Sequence, residues 1–397
     1  MSKPVQLEAL YYNIDPAKKH LPRKPTDDEI RVHIAENNQN CKLNKIVVNK
    51  ANEGNMRTLR RFAFTAFKRQ TRSCRGCNFG IYSPPGQGKT FIVKKFAETL
   101  DIPFVFVQSP ILESTYMLFE QISGIFSKTM TPLVALQNDN CDYIIPPCIV
   151  FFDEAHELKS SLMKGALLNA MEPNDGIMII KQPGTKGETL RVDCKNICWI
   201  AATTERGDLF DAFESRLTTA IEWTSSEGEE LYQIIKAGLD QKYSTRELPF
   251  SPPIEVCKLI AKYQKVPRLA IHGFGAKVVQ HKDFSPSCTW EECCEIVASD
   301  MGLNEYGLTK KQTDILHSLG QRPIAESRLA EIAKCRIAQV KKYELPALMQ
   351  YNNGGPFVVS VSGRGMCITR NGLLMLEKMG MDHKGDKITA EYFESKR

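Results

Sequence analysis

The sequence has 397 residues and a formal net charge of +6, with 42% hydrophobic and 25% charged residues. This length fits two or three domains that each bury a core, and the composition is ordinary for a soluble globular protein. No apolar run is long enough to span a membrane, and the first residues lack a hydrophobic signal segment. We therefore expect a cytoplasmic protein without membrane association.

Thirteen cysteines are scattered along the chain, and their number is odd. In a long chain without a secretion signal, this usage favours reduced thiols over a disulfide framework. Cys74 and Cys77 have the spacing of one half of a zinc site, but no second pair of cysteines or histidines stands at a matching spacing. The sequence therefore favours a pair that binds no metal.

The N-terminal residues 1–40 contain four prolines and little hydrophobic periodicity, which predicts an arm. The segment 43–48 then precedes a helix predicted at about 55–72, in which basic residues are not interrupted by acids. Such a helix has either a solvated basic face or a patch for nucleic acid or a nucleotide. Charge alone does not decide between them.

The segment 83–90, SPPGQGKT, lies between a short apolar run at 79–82 and apolar positions at helical spacing up to residue 100. A strand, a glycine loop and a helix in this order predict a phosphate-binding loop, in which backbone N–H groups face the phosphates. Lys89 is predicted to bind the β- and γ-phosphates and Thr90 to hold Mg²⁺, although Ser83 replaces the first glycine of the full pattern. The other predicted loop residues are Pro85, Gly86, Gln87 and Gly88. The alternative is an ordinary glycine turn.

A second apolar run, 148–152, ends in Asp153 and Glu154. In a parallel sheet this places two carboxylates at the C-terminal edge, where α/β proteins bind their ligands. Asp153 is predicted to hold Mg²⁺ through water, and Glu154 to polarise the attacking water as general base. The alternative is a strand that ends in two solvated acids, which the presence of Lys89 disfavours.

Residues 153–156 also spell the motif of the DEAH-box helicases. We exclude that class because the Ser-Ala-Thr and arginine-rich motifs of those enzymes are missing. His156 is therefore predicted to begin a helix rather than to take part in catalysis.

The remaining elements up to residue 217 are predicted in chain order. A buried strand at 103–107 and a helix at 114–126 are followed by an irregular stretch to residue 147 and a helix at 158–171. Turn-forming residues at 183–187 separate two runs and predict a β-hairpin over 176–193. The next buried strand, 196–204, ends in Thr204, and Arg216 follows about twelve residues later. An arginine at such a place is ordinarily structural.

The C-terminal half is predicted to be mainly helical. Helices are predicted at 230–239, 253–263, 268–279, 289–299, 309–319, 326–334 and 337–350. Two alternating runs, 357–361 and 366–369, then flank a turn that exposes Arg364. The last three helices and this hairpin predict a winged helix whose Arg364 contacts duplex DNA without reading its sequence. The alternative is a winged helix that serves protein contacts.

Together these parts resemble the large domain of AAA+ ATPases and, more closely, the RuvB family of Holliday-junction branch-migration motors. The resemblance covers about residues 43–376 and is carried by 152–156, 170–172, 179–181, 200–204, 266–270 and the winged helix. It implies an α/β fold with an AAA+ P-loop parallel-sheet domain, a helical lid domain and a C-terminal winged-helix domain. The implied boundaries are 1–40 for the N-terminal arm, 41–225 for the AAA+ large ATPase domain, 226–304 for the lid and 305–397 for the DNA-binding domain.

The same resemblance implies roles for single residues. Thr204 matches the first sensor near the γ-phosphate, and Arg216 matches the arginine finger that reaches a neighbouring subunit's nucleotide. Arg268 matches the second sensor. The other implied matches are Ile46 and Val47 against adenine and Arg364 in the wing. The implied ligands are ATP, Mg²⁺ and duplex or four-way junction DNA, the implied assembly is a homo-hexamer, and the implied partner is a junction-binding accessory protein.

The sequence therefore predicts an ATP-dependent DNA motor for branch migration in DNA recombination and repair, associated with the nucleoid or, for a virus, in the host cytoplasm. A nucleotide-switched DNA-binding loader of the initiator type is the alternative, and the hairpin at 176–193 argues against it because such initiators lack one. A third possibility is a protein-remodelling AAA+ factor. The stretch 109–147 is longer than in the RuvB family, and a partner-docking hairpin would lie there.

Overall fold

The structure is a computed structural model. It describes residues 41–68, 76–128, 134–138, 141–172, 176–181, 188–204, 209–244, 252–320, 322–349, 356–361 and 365–381. The chain divides into two compact units, of which the second begins at Ser225. The predicted arm at 1–40, Cys74, the hairpin tip at 183–187 and Arg364 lie outside the described residues. The four predicted domain boundaries stay predictions.

The described part of the first unit is built on nine strands. They are β1 (Phe79–Tyr82), β2 (Phe104–Gln108), β3 (Val134–Asn138), β4 (Cys141–Ile144), β5 (Cys148–Asp153), β6 (Ile177–Lys181), β7 (Thr189–Asp193), β8 (Ile197–Thr203) and β9 (Thr219–Glu222). A central sheet has the order β2-β5-β8-β1-β9, and all its pairings are parallel. The predicted strands of this sheet are confirmed, whereas β9 was not predicted.

The inner strands β1, β5 and β8 are buried on both faces, as is typical of a parallel sheet covered by helices. Successive side chains of a strand point to opposite faces. Phe152 and Trp199 accordingly pack in one hydrophobic cluster, while their chain neighbours Phe151 and Ile200 pack in another. The carboxyl ends of β1, β5 and β8 meet at one edge, so the residues that follow these strands are brought together there.

A second sheet has the order β3-β4-β7-β6. Its β6 and β7 pair antiparallel from Ile177 with Asp193 to Lys181 with Thr189, which confirms the predicted hairpin. The prediction of an irregular stretch up to residue 147 is wrong, because β3 and β4 form an antiparallel pair there. β4 also pairs with β7 through Tyr143 and Ile144. This contact between segments far apart in the chain stabilises strands that are too short to be recognised by periodicity.

Helices cover the sheets of the first unit, and the structure describes Glu53–Lys68, Lys89–Leu100, Thr115–Lys128, Ser160–Leu162, Leu168–Ala170 and Asp211–Glu214. The helix predicted at 158–171 is present but is kinked within Met163–Leu167, where Gly165 has the non-helical angles φ −122° and ψ −116°. Glycine suits such a kink because it adopts backbone angles that other residues avoid. Among the described helices, none has the length and apolarity that a membrane crossing requires.

The second unit begins with helices around a core of their own. They are Gly228–Tyr243, Ile254–Tyr263, the π-helical Leu269–Phe274 that continues into Gly275–Phe284, and Trp290–Asp300. Thr289 starts the last of these helices with a capping box to Glu292, which satisfies two backbone N–H groups. Gly307 has φ 78°, and a Cβ there would lie 2.2 Å from the Tyr263 carbonyl oxygen. Only glycine fits this turn.

The C-terminal core combines helices and a hairpin. The helices are Lys310–Leu319, Glu326–Ile332, a composite of Ile337–Gln339, Val340–Glu344 and Leu345–Met349, and Arg370–Lys378. β10 (Val358–Val361) and β11 (Gly365–Ile368) pair antiparallel. These elements have the composition of the predicted winged helix, and Arg370–Lys378 is an additional helix that the sequence did not predict.

The twelve cysteines that the structure describes are free thiols. Burial raises the pKa of Cys257 to about 11 and that of Cys294 to about 12. Because the thiolate is the reactive form, we expect both to react with iodoacetamide at pH 8 at least about tenfold more slowly than the half-buried Cys335. Peptide mass spectrometry after timed labelling measures these rates, with urea-unfolded protein as the control. Equal rates in the native protein would contradict the packing of this core.

Candidate functional site

The candidate phosphate loop connects β1 to the helix Lys89–Leu100. Gly86 and Gly88 have φ angles of 77° and 88°, in the left-handed region that favours glycine. Gly88 is the residue before the helix, and its carbonyl accepts a hydrogen bond from Ile92 N at 3.0 Å. A Cβ built at Gly88 would meet no described atom within 4 Å. The loop therefore has space beside its backbone, as the approach of a phosphate requires.

Lys89 is enclosed by this loop. Its side chain is buried, with 7% of the residue exposed, and Nζ donates to the Ser83 carbonyl oxygen at 3.0 Å. Ser83 N in turn donates to the Thr203 carbonyl oxygen at 3.3 Å, so the loop is bonded to β8. An ammonium group held against the loop backbone matches the need of a bound triphosphate for a fixed positive charge.

The predicted acidic residues lie at the carboxyl end of β5. Asp153 is the last residue of β5, in register with Gln108 of β2, and Glu154 follows with a φ of 50°. A residue other than glycine in this region costs on the order of 1 kcal/mol, and such residues cluster at active sites. Thr204 Oγ1, just after β8, donates to Glu154 Oε2 at 3.3 Å. The structure thus brings together two residues that were predicted from separate segments.

His156 lies in a one-turn helix, Ala155–Glu157, directly after Glu154. The predicted position at a helix start is therefore correct, but the sequence did not show what the side chain contacts. Its Nδ1 lies 2.8 Å from Thr203 Oγ1 and 3.5 Å from Glu154 Oε2. The only signal in the sequence was its place two residues after Glu154.

Arg216 follows the short helix Asp211–Glu214 and forms an ion pair with Glu172 through Nη2 and Oε1. Its Nη1 donates to Ser215 Oγ at 3.4 Å. Its carbonyl accepts from Asn78 Nδ2 at 3.5 Å, and Asn78 Oδ1 accepts from Trp199 N at 3.0 Å. The backbone of Arg216 is thereby tied to the central sheet. Nothing in the sequence indicates Glu172 as a partner of Arg216.

Ile46 follows the short helix Lys42–Lys45, and its side chain packs against the hydrophobic cluster that contains Phe79. The next segment is bonded to the end of the first unit by Asn52, which is fully buried. Its Nδ2 donates to the Thr224 carbonyl oxygen at 2.8 Å, and its Oδ1 accepts from Thr224 N at 3.0 Å. The predicted contact of Ile46 and Val47 with adenine stays a prediction.

Arg268 belongs to the second unit, where it is exposed and directly precedes the π-helical segment Leu269–Phe274. Burial lowers the pKa of His272, and the positive charges of Lys242 and Arg268 lower it further. Arg268 therefore belongs to a cluster of positive charge, and its role as a sensor stays a prediction. The described parts of the chain contain no cluster of three or more His, Cys, Asp or Glu side chains that could hold a metal ion.

Residues 79–225 match the family model described as "ATPase family associated with various cellular activities (AAA)". Residues 79–225 are an AAA domain. The loop with Lys89, the acids after β5 and Thr204 after β8 all lie within it, and the AAA family implies that it binds a nucleotide.

The chain that carries this AAA domain is similar to curated RuvB proteins. It is 26% identical over 245 residues to the Holliday junction branch migration complex subunit RuvB of Sulfurimonas denitrificans, which covers 60% of this chain and 63% of that protein. Identity to the RuvB subunit of Mesomycoplasma hyopneumoniae is 27% over 193 residues, or 48% of this chain and 52% of that protein. The chain thus spans less than two thirds of the length of these relatives.

Solved RuvB structures have the same fold as this chain, both within the AAA domain and beyond it. A RuvB variant from Thermotoga maritima superposes with a TM-score of 0.61 at 17% identity, covering 86% of this chain and 98% of the other. The T. maritima RuvB Holliday junction branch migration motor has a TM-score of 0.55 at 16% identity, covering 90% and 95%. These comparisons confirm the predicted fold class and the resemblance to RuvB.

Proposed function

We propose that the protein is an ATP-driven DNA motor that moves branched DNA, as the names of its RuvB relatives suggest for those proteins. The observation that carries the proposal is the contact of Thr204 with Glu154 on the sheet edge, next to the strand from which the loop with Lys89 begins. A cation for phosphate, a general base and a polar group beside that base are parts that ATP hydrolysis requires.

The nucleotide is bound by the AAA domain. Lys89 and the backbone of residues 85–88 bind the β- and γ-phosphates, while Ile46 and Val47 contact the adenine and Arg268 acts as second sensor. Thr90 would bind Mg²⁺ with its hydroxyl oxygen, and Asp153 would hold the ion through water; when bound, Mg²⁺ would neutralise the phosphate charge. A hydroxyl oxygen and a carboxylate that binds the ion's water suit this hard cation.

Hydrolysis uses residues of two subunits. Glu154 takes the proton of the attacking water. Thr204 contacts the Glu154 carboxylate and holds it in position relative to the γ-phosphate. Arg216 extends from its own subunit into the nucleotide site of the neighbouring subunit and stabilises the transition-state charge there. Turnover therefore depends on a homo-hexameric ring. The winged helix, through Arg364, follows the DNA backbone without reading sequence, and DNA binding is therefore sensitive to salt. An accessory protein that binds the junction loads the ring.

The test is the ATPase rate of the purified full chain without DNA, with linear duplex and with a four-way junction, together with a junction-dissociation assay. We expect multiple turnovers, stimulation by DNA and ATP-dependent dissociation of the junction. The Glu154→Gln variant is the control, and we expect it to bind ATP but neither hydrolyse it nor dissociate the junction. A rate that DNA does not change would instead support protein remodelling. A single slow cycle with stable DNA binding would support the loader.

A further inference from the structure

We propose that His156 is a positioning residue that holds the Glu154 carboxylate in its catalytic orientation through its Nδ1–H group, which donates a hydrogen bond to Thr203 Oγ1 and attracts Glu154 Oε2. This inference rests on the proposed hydrolysis and adds a residue to it. It starts from three contacts that join three oxygen atoms and the ring nitrogen Nδ1. Glu154 Oε2 lies 3.3 Å from Thr204 Oγ1 and 3.5 Å from His156 Nδ1, and the same Nδ1 lies 2.8 Å from Thr203 Oγ1.

The position of the proton on His156 follows from electrostatics. An unprotonated Nδ1 would direct its lone pair at a carboxylate oxygen 3.5 Å away, and this arrangement is repulsive. With the proton on Nδ1, the ring donates mainly to Thr203 Oγ1 and is also attracted to Glu154 Oε2. Nε2 lies 3.9 Å from Glu157 Oε1, which is beyond hydrogen-bond distance. The function of the ring is therefore assigned to Nδ1.

The two contacts at Oε2 fix one side of the Glu154 carboxylate. Thr204 approaches Oε2 from the position just after β8, and His156 approaches it from the one-turn helix that follows β5. A carboxylate held in this way directs its other oxygen, Oε1, to the proton of the attacking water. The left-handed backbone of Glu154, with φ 50°, starts the turn that brings the His156 ring back toward this carboxylate.

His156 also connects the base to the phosphate loop. The Thr203 side chain contacts His156 Nδ1, while the Thr203 carbonyl accepts from Ser83 N at 3.3 Å. The Ser83 carbonyl accepts from Lys89 Nζ at 3.0 Å. Thr203 is fully buried and His156 has only 14% of its side chain exposed, so this set of bonds is screened from water. The position of the base is thereby coupled to that of the phosphate-binding lysine.

Three substitutions of His156 distinguish hydrogen-bond donation by Nδ1 from other roles of the ring. His156→Asn keeps an N–H donor close to the place of Nδ1, whereas His156→Gln puts the donor near the place of Nε2, and His156→Ala has neither. For each variant, kcat and KM for ATP are measured together with the Kd of a fluorescent ATP analogue and the thermal unfolding midpoint. We expect His156→Ala to lose about 10- to 100-fold in kcat, since small misplacements of catalytic groups have effects of this size.

KM and Kd of the alanine variant are expected to stay within about twofold of wild type, because binding by Lys89 does not need the base. We expect His156→Asn to recover kcat to within about threefold of wild type and His156→Gln to remain as slow as His156→Ala. Unchanged kcat in His156→Ala, equal kcat for the asparagine and glutamine variants, or a parallel loss of kcat and unfolding midpoint in all three would overturn the assignment. Absence of ATP hydrolysis by the wild type would instead refute the proposed function.

Discussion

Replacing Lys89 with alanine is expected to weaken ATP binding by about 100-fold. Lys89 Nζ already rests against the Ser83 carbonyl inside the loop, so a bound triphosphate meets a fixed ammonium group. Charge-assisted hydrogen bonds contribute about 1.5 to 3 kcal/mol each, and the loss of about 3 kcal/mol corresponds to about 100-fold. Isothermal titration calorimetry with ATP under conditions that permit no turnover measures the change.

Two further variants control for effects on the fold. Lys89→Met retains an apolar side chain in the buried position and should bind ATP as weakly as Lys89→Ala. Lys95→Ala removes a lysine from the same helix, where its Nζ pairs with Glu98 at 2.7 Å, and should bind within about twofold of wild type. Wild-type affinity in both Lys89 variants would show that the nucleotide binds elsewhere.

Replacing Arg216 with alanine is expected to lower kcat for ATP hydrolysis by about 1,000-fold, at the lower end of the effects known for arginine fingers. The affinity for ATP should not change, because the finger of one subunit acts on the nucleotide of the next. Steady-state phosphate release and nucleotide titration give the two quantities. Ser215→Ala is the matched control, since it removes only the hydroxyl 3.4 Å from Arg216 Nη1, and it should stay within about twofold of wild type.

Mixing two inactive variants tests whether the finger acts between subunits. Arg216→Ala subunits retain Glu154, and Glu154→Gln subunits retain Arg216, so some interfaces of a mixed ring contain both groups. Mixtures should therefore recover phosphate release that neither variant shows alone. No recovery in rings shown by light scattering to be mixed, or full turnover of Arg216→Ala alone, would exclude this role.

The central sheet and its edge were predictable because strong signals coincide there. Glycines, a lysine and paired acids each follow a run of buried residues, and parallel strands bring such ends together. β9 was missed because Thr219–Glu222 is short and has one fully buried side chain, Ile221. This segment is a strand because it pairs with β1, and a local sequence pattern carries no information about that pairing.

Contacts between side chains were the part of the site that the sequence did not predict. The pairs Arg216 with Glu172 and His156 with Thr203 join residues on different elements, and no spacing rule connects them. His156 was interpreted only from its helix position. The approach of its ring to Thr203 depends on the left-handed turn at Glu154, and this turn is unusual for glutamate.

The strand order also has a consequence for synthesis on the ribosome. β1, which leads into the loop of Lys89, lies between β8 and β9, and neither neighbour exists until residues 197–222 have been translated. Until then the apolar β1 has no hydrogen-bonding partner in its sheet, and the anchor of Ser83 on Thr203 cannot form. Pairings between strands so far apart in the chain form slowly. The nascent chain is therefore exposed to aggregation for most of the time in which this domain is made, and it gains its nucleotide site only near the end.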